Sequence, residues 1–106
     1  MLDIKTEKNE NGITLKLCGS INSAVADLFS QQMNEALSAE PVLLTLDFEN
    51  VDIISSAGIR TLFMAGKIQK ANNRRFIGIN INSNVEYLLN MVKVGVIMEI
   101  NPTDKA

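Results

Sequence analysis

The sequence has no histidine and only one cysteine, Cys18. Without histidine, general acid–base chemistry by imidazole is excluded, and so is a Ser-His-Asp triad. One thiol cannot close an intramolecular disulfide. With no second cysteine and no histidine, the usual zinc ligand set is missing as well. No apolar run approaches the roughly 20 residues of a membrane-spanning helix, so no membrane insertion is expected. The opening MLDIKTEKNENG is charged and does not read as a signal peptide. Neither a Walker motif nor G-x-G-x-x-G is present, which leaves nucleotide binding unsupported. No charge of one sign dominates: ten basic residues face twelve acidic ones, for a formal net charge of −2. Direct nucleic-acid binding therefore has no electrostatic footprint. Repeats, low-complexity segments and linkers are also lacking. These absences together lead to the expectation of a reduced, cytoplasmic protein that is not an enzyme. No catalytic residue, metal ligand or cofactor is expected.

What is present is an ordinary globular balance: 106 residues, 46% hydrophobic and 21% charged. That is the size of one domain, taken as 1–106 with 101–106 a frayed polar tail. Leu2, Ile4 and Thr6 alternate with Asp3 and Lys5. Ile13, Leu15 and Leu17 alternate with Thr14, Lys16 and Cys18. Between them KNENG supplies turn residues, Asn11-Gly12 above all, so an antiparallel hairpin with one buried face is expected. Val25, Phe29, Met33 and Leu37, with Leu28 and Ala36 beside them, form a helical stripe that Asn22 or Ser23 caps and Pro41 ends. Val42 to Phe48 is nearly continuous in apolar residues, which suits a strand buried on both faces, bounded by Pro41 and Glu49-Asn50.

A second helix carries Ile59, Leu62, Phe63 and Gly66 on one stripe and Met64, Ile68 and Ala71 on its neighbour. Asn72-Asn73 stop it. Met64 and Ile68 serve either as core filler or as an exposed contact patch. Phe76 to Ile81 reads as a strand with Ile77, Ile79 and Ile81 on one face. Ser83-Asn84-Val85-Glu86 matches a capping box opening a helix with Val85, Leu88, Leu89 and Val92. Gly95 is expected to end that helix, and VIMEI to form a last short strand. The predicted class is α/β: a mixed sheet with an N-terminal antiparallel hairpin followed by alternating strands and helices.

Ser55 and Ser56 interrupt an apolar run in VDIISSAGIR, Val51 to Arg60, where a strand gives way to a helix. One reading is a helix cap: Ser55 accepts a first-turn amide and contributes about 1 kcal/mol. The other is a site to be touched or modified. Ala57 and Gly58 leave the backbone uncrowded for a partner. A phosphate on Ser56, as first helical residue, would lie at the positive end of the helix dipole. Arg60, four residues on, shares that face and either pairs with the phosphate or is simply solvated. Such a modification adds about −1.5 to −2 charges to the surface. Asp47, Glu49 and Asp52 precede the serines and are either solvated loop carboxylates or a cation site, and no metal is expected there.

The order of elements and the segment LLTLDFENVDIISSAGIRTL resemble the STAS domain family, and more narrowly its stand-alone anti-sigma factor antagonists. The resemblance extends from the hairpin through Gly19-Ser20-Ile21-Asn22 to YLLNMVKVGVIMEI. It implies a STAS-type fold and a partner-switching circuit. An anti-sigma factor with serine kinase activity phosphorylates a serine that opens the second helix. A metal-dependent serine phosphatase restores it. Matching Gly58-Ile59 to the family's Gly-Leu places the phosphorylated serine at Ser56. Ser55 then stands where many members carry aspartate, and Asn22 lies in the loop where members often carry an aspartate that contributes to the partner surface. The implied partner-binding set is Asn22, Ser55, Ser56, Ala57, Gly58 and Arg60. Some relatives are never phosphorylated, so the alternative is a subunit of a lipid-transport or scaffold complex.

Overall fold

A computed structural model of the protein describes residues 2–102. Strand β1 (Asp3–Asn9) pairs antiparallel with β2 (Gly12–Ile21) from Asp3 opposite Cys18 to Asn9 opposite Gly12. The turn between them is therefore Glu10-Asn11, one residue earlier than Asn11-Gly12 suggested. The Asn9 side chain directs it by accepting the N–H groups of Asn11 (2.8 Å) and Gly12 (3.0 Å). Gly12 is needed for another reason. Its φ is +154°, and a Cβ there would run into the Leu43 carbonyl of a neighbouring strand.

After a 3-10 turn at Ser23–Val25 come helix α1 (Ala26–Ser38), strand β3 (Leu43–Ile54), helix α2 (Ser56–Ala71) and strand β4 (Arg75–Ile79). Helix α3 (Ser83–Met91), a 3-10 turn at Val94–Val96 and strand β5 (Glu99–Ile100) follow. The sheet runs β1-β2-β3-β4-β5, and every pair after the hairpin is parallel. This is the mixed sheet with an antiparallel start expected from the sequence. Among the described residues no helix is long and apolar enough to cross a membrane.

Side chains alternate across a strand, so the pairing defines a core face. Leu44 and Leu46 of β3 lie beside Ile13 and Leu15 of β2 and beside Phe76 and Gly78 of β4. They join Phe48 and Phe29, Met33 and Leu37 of α1 in one buried cluster with Leu62 and Ala65 of α2. Each large side chain buried in this way stabilises the fold by about 1.5–3 kcal/mol before entropy is counted. Between the core residues of β3, Thr45 and Asp47 are also buried. Ile77 and Ile79 lie on the opposite face of β4 and are only half-buried, so the core contribution of that strand comes from Phe76 and Gly78.

Several boundaries differ from expectation, among them that of β4, which ends at Ile79 and leaves Ile81 beyond the strand. Strand β3 does not stop at Glu49-Asn50 but continues to Ile54. It does so because β2 is long enough to pair with it. Between Lys16 opposite Asp47 and Cys18 opposite Asn50, three steps of β3 match two of β2, and the same slip recurs between Gly19 and Ile21. Such bulges accommodate polar residues without ending the strand. Helix α3 is capped by Asn82, whose Oδ1 accepts the Val85 N–H (2.9 Å), so Ser83 is its first residue and not its cap. The helix ends before Gly95: Val92 is its last capping position, and Lys93 turns the chain with φ +61°. Of VIMEI only Glu99 and Ile100 are in a strand. Asn101, placed in the tail by its polarity, is held by paired hydrogen bonds with the backbone of Ile81 (2.9 and 3.0 Å). Positions 103–106 of that tail lie outside the described residues.

Candidate functional site: the serine pair at the start of α2

The junction between β3 and α2 is built by backbone geometry first. Ser55 is extended (φ −85°, ψ 168°), and its Oγ accepts the Gly58 N–H at 3.2 Å. Its carbonyl accepts from Ile59 N at 2.9 Å, closing the first helical turn. Ser55 is thus a helix cap, as one of the two sequence readings held. Its own N–H donates to the Ile21 carbonyl at 2.7 Å, which ties the junction to the end of β2.

Ser56 is the first residue of α2 and is exposed. No hydrogen bond engages its hydroxyl among the described residues. Ala57 is half-buried. Gly58, by contrast, turns inward: it is buried, and a Cβ would lie 2.8 Å from Ile21 Cγ2 and 2.9 Å from Ile54 Cγ1. Its small size lets α2 approach the sheet, and its inner side is crowded by Ile21 and Ile54, so the backbone there is less open than the sequence suggested. Arg60 is exposed one turn after Ser56 and makes no ion pair among the described residues.

Asn22 emerges from the neighbouring strand end. It is exposed, and its Oδ1 accepts the Ala24 N–H at 3.0 Å, capping the 3-10 turn that leads into α1. The structure therefore brings Asn22 and the Ser55–Arg60 segment to one end of the sheet, the carboxyl end of its parallel strands. In open α/β sheets that end is the usual place for binding. The Ser55 N–H bond to Ile21, the residue before Asn22, links the two segments directly.

The three carboxylates before the serines do not converge. Asp47 is buried, and its Oδ1 accepts from the Glu49 N–H and from Asn80 Nδ2, both at 3.0 Å. Asp52 accepts from Ser20 Oγ at 2.8 Å. Among the described residues no group of three acidic, histidine or cysteine side chains is placed to hold a metal ion.

Sequence reasoning missed the asparagines that frame this end. Asn80 reaches Asp47, Asn82 Nδ2 donates to the Val51 carbonyl at 2.9 Å, and Asn101 holds Ile81. The one local signal was the residue type: asparagine tolerates left-handed backbone, which Asn80 and Asn101 adopt (φ +58° and +44°). Their long-range partners leave no trace in sequence spacing.

The fold matches a crystal structure of an anti-sigma factor antagonist from Mycobacterium paratuberculosis with a TM-score of 0.87 at 14% identity, over 97% of this chain and 87% of that one. It matches the anti-sigma factor antagonist SpoIIAA in its unphosphorylated form with a TM-score of 0.78 at 15% identity, over 97% and 90% of the two chains. The phosphorylated form of SpoIIAA, a Bacillus cell fate determinant, gives 0.73 at 14% identity, over 97% and 94%. At these identities the likeness is one of fold. Sequence comparison with curated proteins finds no match. The family model for the STAS domain, however, matches residues 3–105, and the chain belongs to the STAS domain family.

Proposed function

We propose that this STAS protein is a cytoplasmic, non-enzymatic anti-sigma factor antagonist. In this reading it binds an anti-sigma factor with serine kinase activity through Asn22 and the Ser55–Arg60 segment. Phosphorylation of Ser56 switches the binding off, and a metal-dependent serine phosphatase switches it on again. The observation that carries the reading is the contrast between the two serines. Ser55 is committed to Gly58 N–H and is partly buried, whereas Ser56 is exposed and its hydroxyl is unengaged among the described residues. A kinase that approaches this corner meets Ser56 without having to dismantle the cap.

The physical consequence of modification follows from position. A phosphate on the first residue of a 16-residue helix lies beside the free first-turn amides, which favour negative charge. Arg60, exposed on the next turn, is available to share it. The fold therefore tolerates the phosphate, while the added charge of about −1.5 to −2 changes the surface that the partner must desolvate. The test is binding of Ser56→Asp and Ser56→Ala to the anti-sigma factors encoded in the same genome, measured by calorimetry. Ser56→Ala is expected to bind as the parent protein does and to remain bound in the presence of ATP. Ser56→Asp is expected to lose binding with its thermal midpoint preserved. If Ser56→Asp binds as tightly as the parent, the switch is elsewhere.

A further inference from the structure

The ends of β2 and β3 are joined where their ladder is irregular. Between Gly19 opposite Val51 and Ile21 opposite Ile54, β3 spends three steps against two of β2. Regular pairing is interrupted there, and a bulged strand bends at such a point. Ser20 and Asp52 fall inside this interval, and Ser20 Oγ donates to Asp52 Oδ1 at 2.8 Å. Asp52 is exposed and Ser20 half-buried, so neither belongs to the hydrophobic core. A hydrogen bond between such residues contributes little to global stability. Its location gives it a different consequence.

Just beyond the bond lie the two halves of the proposed partner surface. Asn22 follows Ser20 by two residues, and Ser55 and Ser56 follow Asp52 by three and four. The halves belong to different elements, and a partner that touches both depends on their separation. Two contacts already set that separation: Ser55 N–H on the Ile21 carbonyl, and Gly58 against Ile21 and Ile54. Both lie past the second bulge. The Ser20–Asp52 bond lies within it and spans the stretch where the regular β2–β3 register is broken.

We infer that Ser20 and Asp52 are positioning residues: their hydrogen bond fixes the Asn22 turn relative to Ser56 and so pre-organises the surface that an anti-sigma factor binds. This inference rests on the reading of that surface given above. Pre-organisation raises affinity by sparing the ordering that binding would otherwise require. Losing a charge-assisted hydrogen bond of this kind corresponds to roughly a five- to tenfold effect.

The test uses Ser20→Ala, Asp52→Ala and the exchanged pair Ser20→Asp with Asp52→Ser, each read out in two ways. The first is amide hydrogen exchange by NMR on the free protein. In both single variants the Ser55 amide is expected to exchange about five- to tenfold faster, while Leu46 in the core keeps its parental rate. The second is calorimetric affinity for the anti-sigma factors of the same genome. It is expected to fall by a similar factor in both single variants and to recover in the exchanged pair. An unchanged Ser55 rate overturns the inference, as does parental affinity in both single variants. Equal acceleration at Ser55 and Leu46 also overturns it, because the bond would then serve general stability. If no anti-sigma factor binds the parent protein, the proposed function fails, and the exchange result alone decides whether the pair positions the turn.

Discussion

Replacing Ser55 by alanine separates the cap from the switch. The Ser55 hydroxyl accepts the Gly58 N–H at 3.2 Å, and Gly58 is buried against Ile21 and Ile54. Water cannot readily replace the lost acceptor at a buried amide, which places the cost toward the upper part of the usual range for a helix cap, about 1–2 kcal/mol. For a domain of this size each kilocalorie lowers the thermal midpoint by about 4–8 °C. Ser56→Ala removes an exposed, unengaged hydroxyl and should change stability by less than about 0.5 kcal/mol. Ser55→Asp should keep the stability of the parent, because aspartate caps as well as serine and its charge suits the helix N-terminus. Urea titrations of the three variants, followed by circular dichroism, measure this directly. Equal midpoints for Ser55→Ala and Ser56→Ala would refute the division of labour, as would a loss in Ser55→Asp as large as that in Ser55→Ala.

Other expectations follow from the same contacts. Gly58→Ala gains about 1 kcal/mol of helix propensity but forces a methyl to within 3 Å of two isoleucines, for which overpacking costs about 1–3 kcal/mol. The thermal midpoint should fall, and a rise would show that α2 can shift freely on the sheet. Asn82→Ala loses both the α3 cap and the bond to the Val51 carbonyl and should destabilise by about 2 kcal/mol in denaturant titration. The Arg75–Glu99 pair is bidentate at 2.8 and 3.0 Å but half-exposed, so a double-mutant cycle should give a coupling below about 1 kcal/mol that shrinks in high salt.

The helices and strands were legible in the sequence wherever local chemistry decides them. The stripe through Phe29, Met33 and Leu37 is the buried face of α1, and the apolar run after Pro41 opens the central strand. The reading stopped short where a partner strand decides. Glu49-Asn50 look like a loop, and only the bulged pairing with β2 keeps them in β3. Ser83 looks like a cap because its spacing to Glu86 fits, yet Asn82 caps α3 because its other side-chain group is anchored on Val51. Gln69 was invisible as a core residue, since its polarity hides that its Nε2 bridges the Pro41 and Arg75 carbonyls between strand starts. At the candidate site the capping role of Ser55 could be read from its neighbours. The inward turn of Gly58 could not, because it depends on isoleucines 37 and 4 residues away in sequence.

In the proposed function Ser56, and no other hydroxyl, is the regulated group. Incubating the protein with ATP and each anti-sigma factor kinase of the same genome, then mapping phosphate by tandem mass spectrometry, tests it most directly. A single phosphate on Ser56 is expected, and none on Ser56→Ala. Phosphate on Ser55 or at a site outside this junction would contradict it, as would a kinase that binds the protein and leaves Ser56 unmodified.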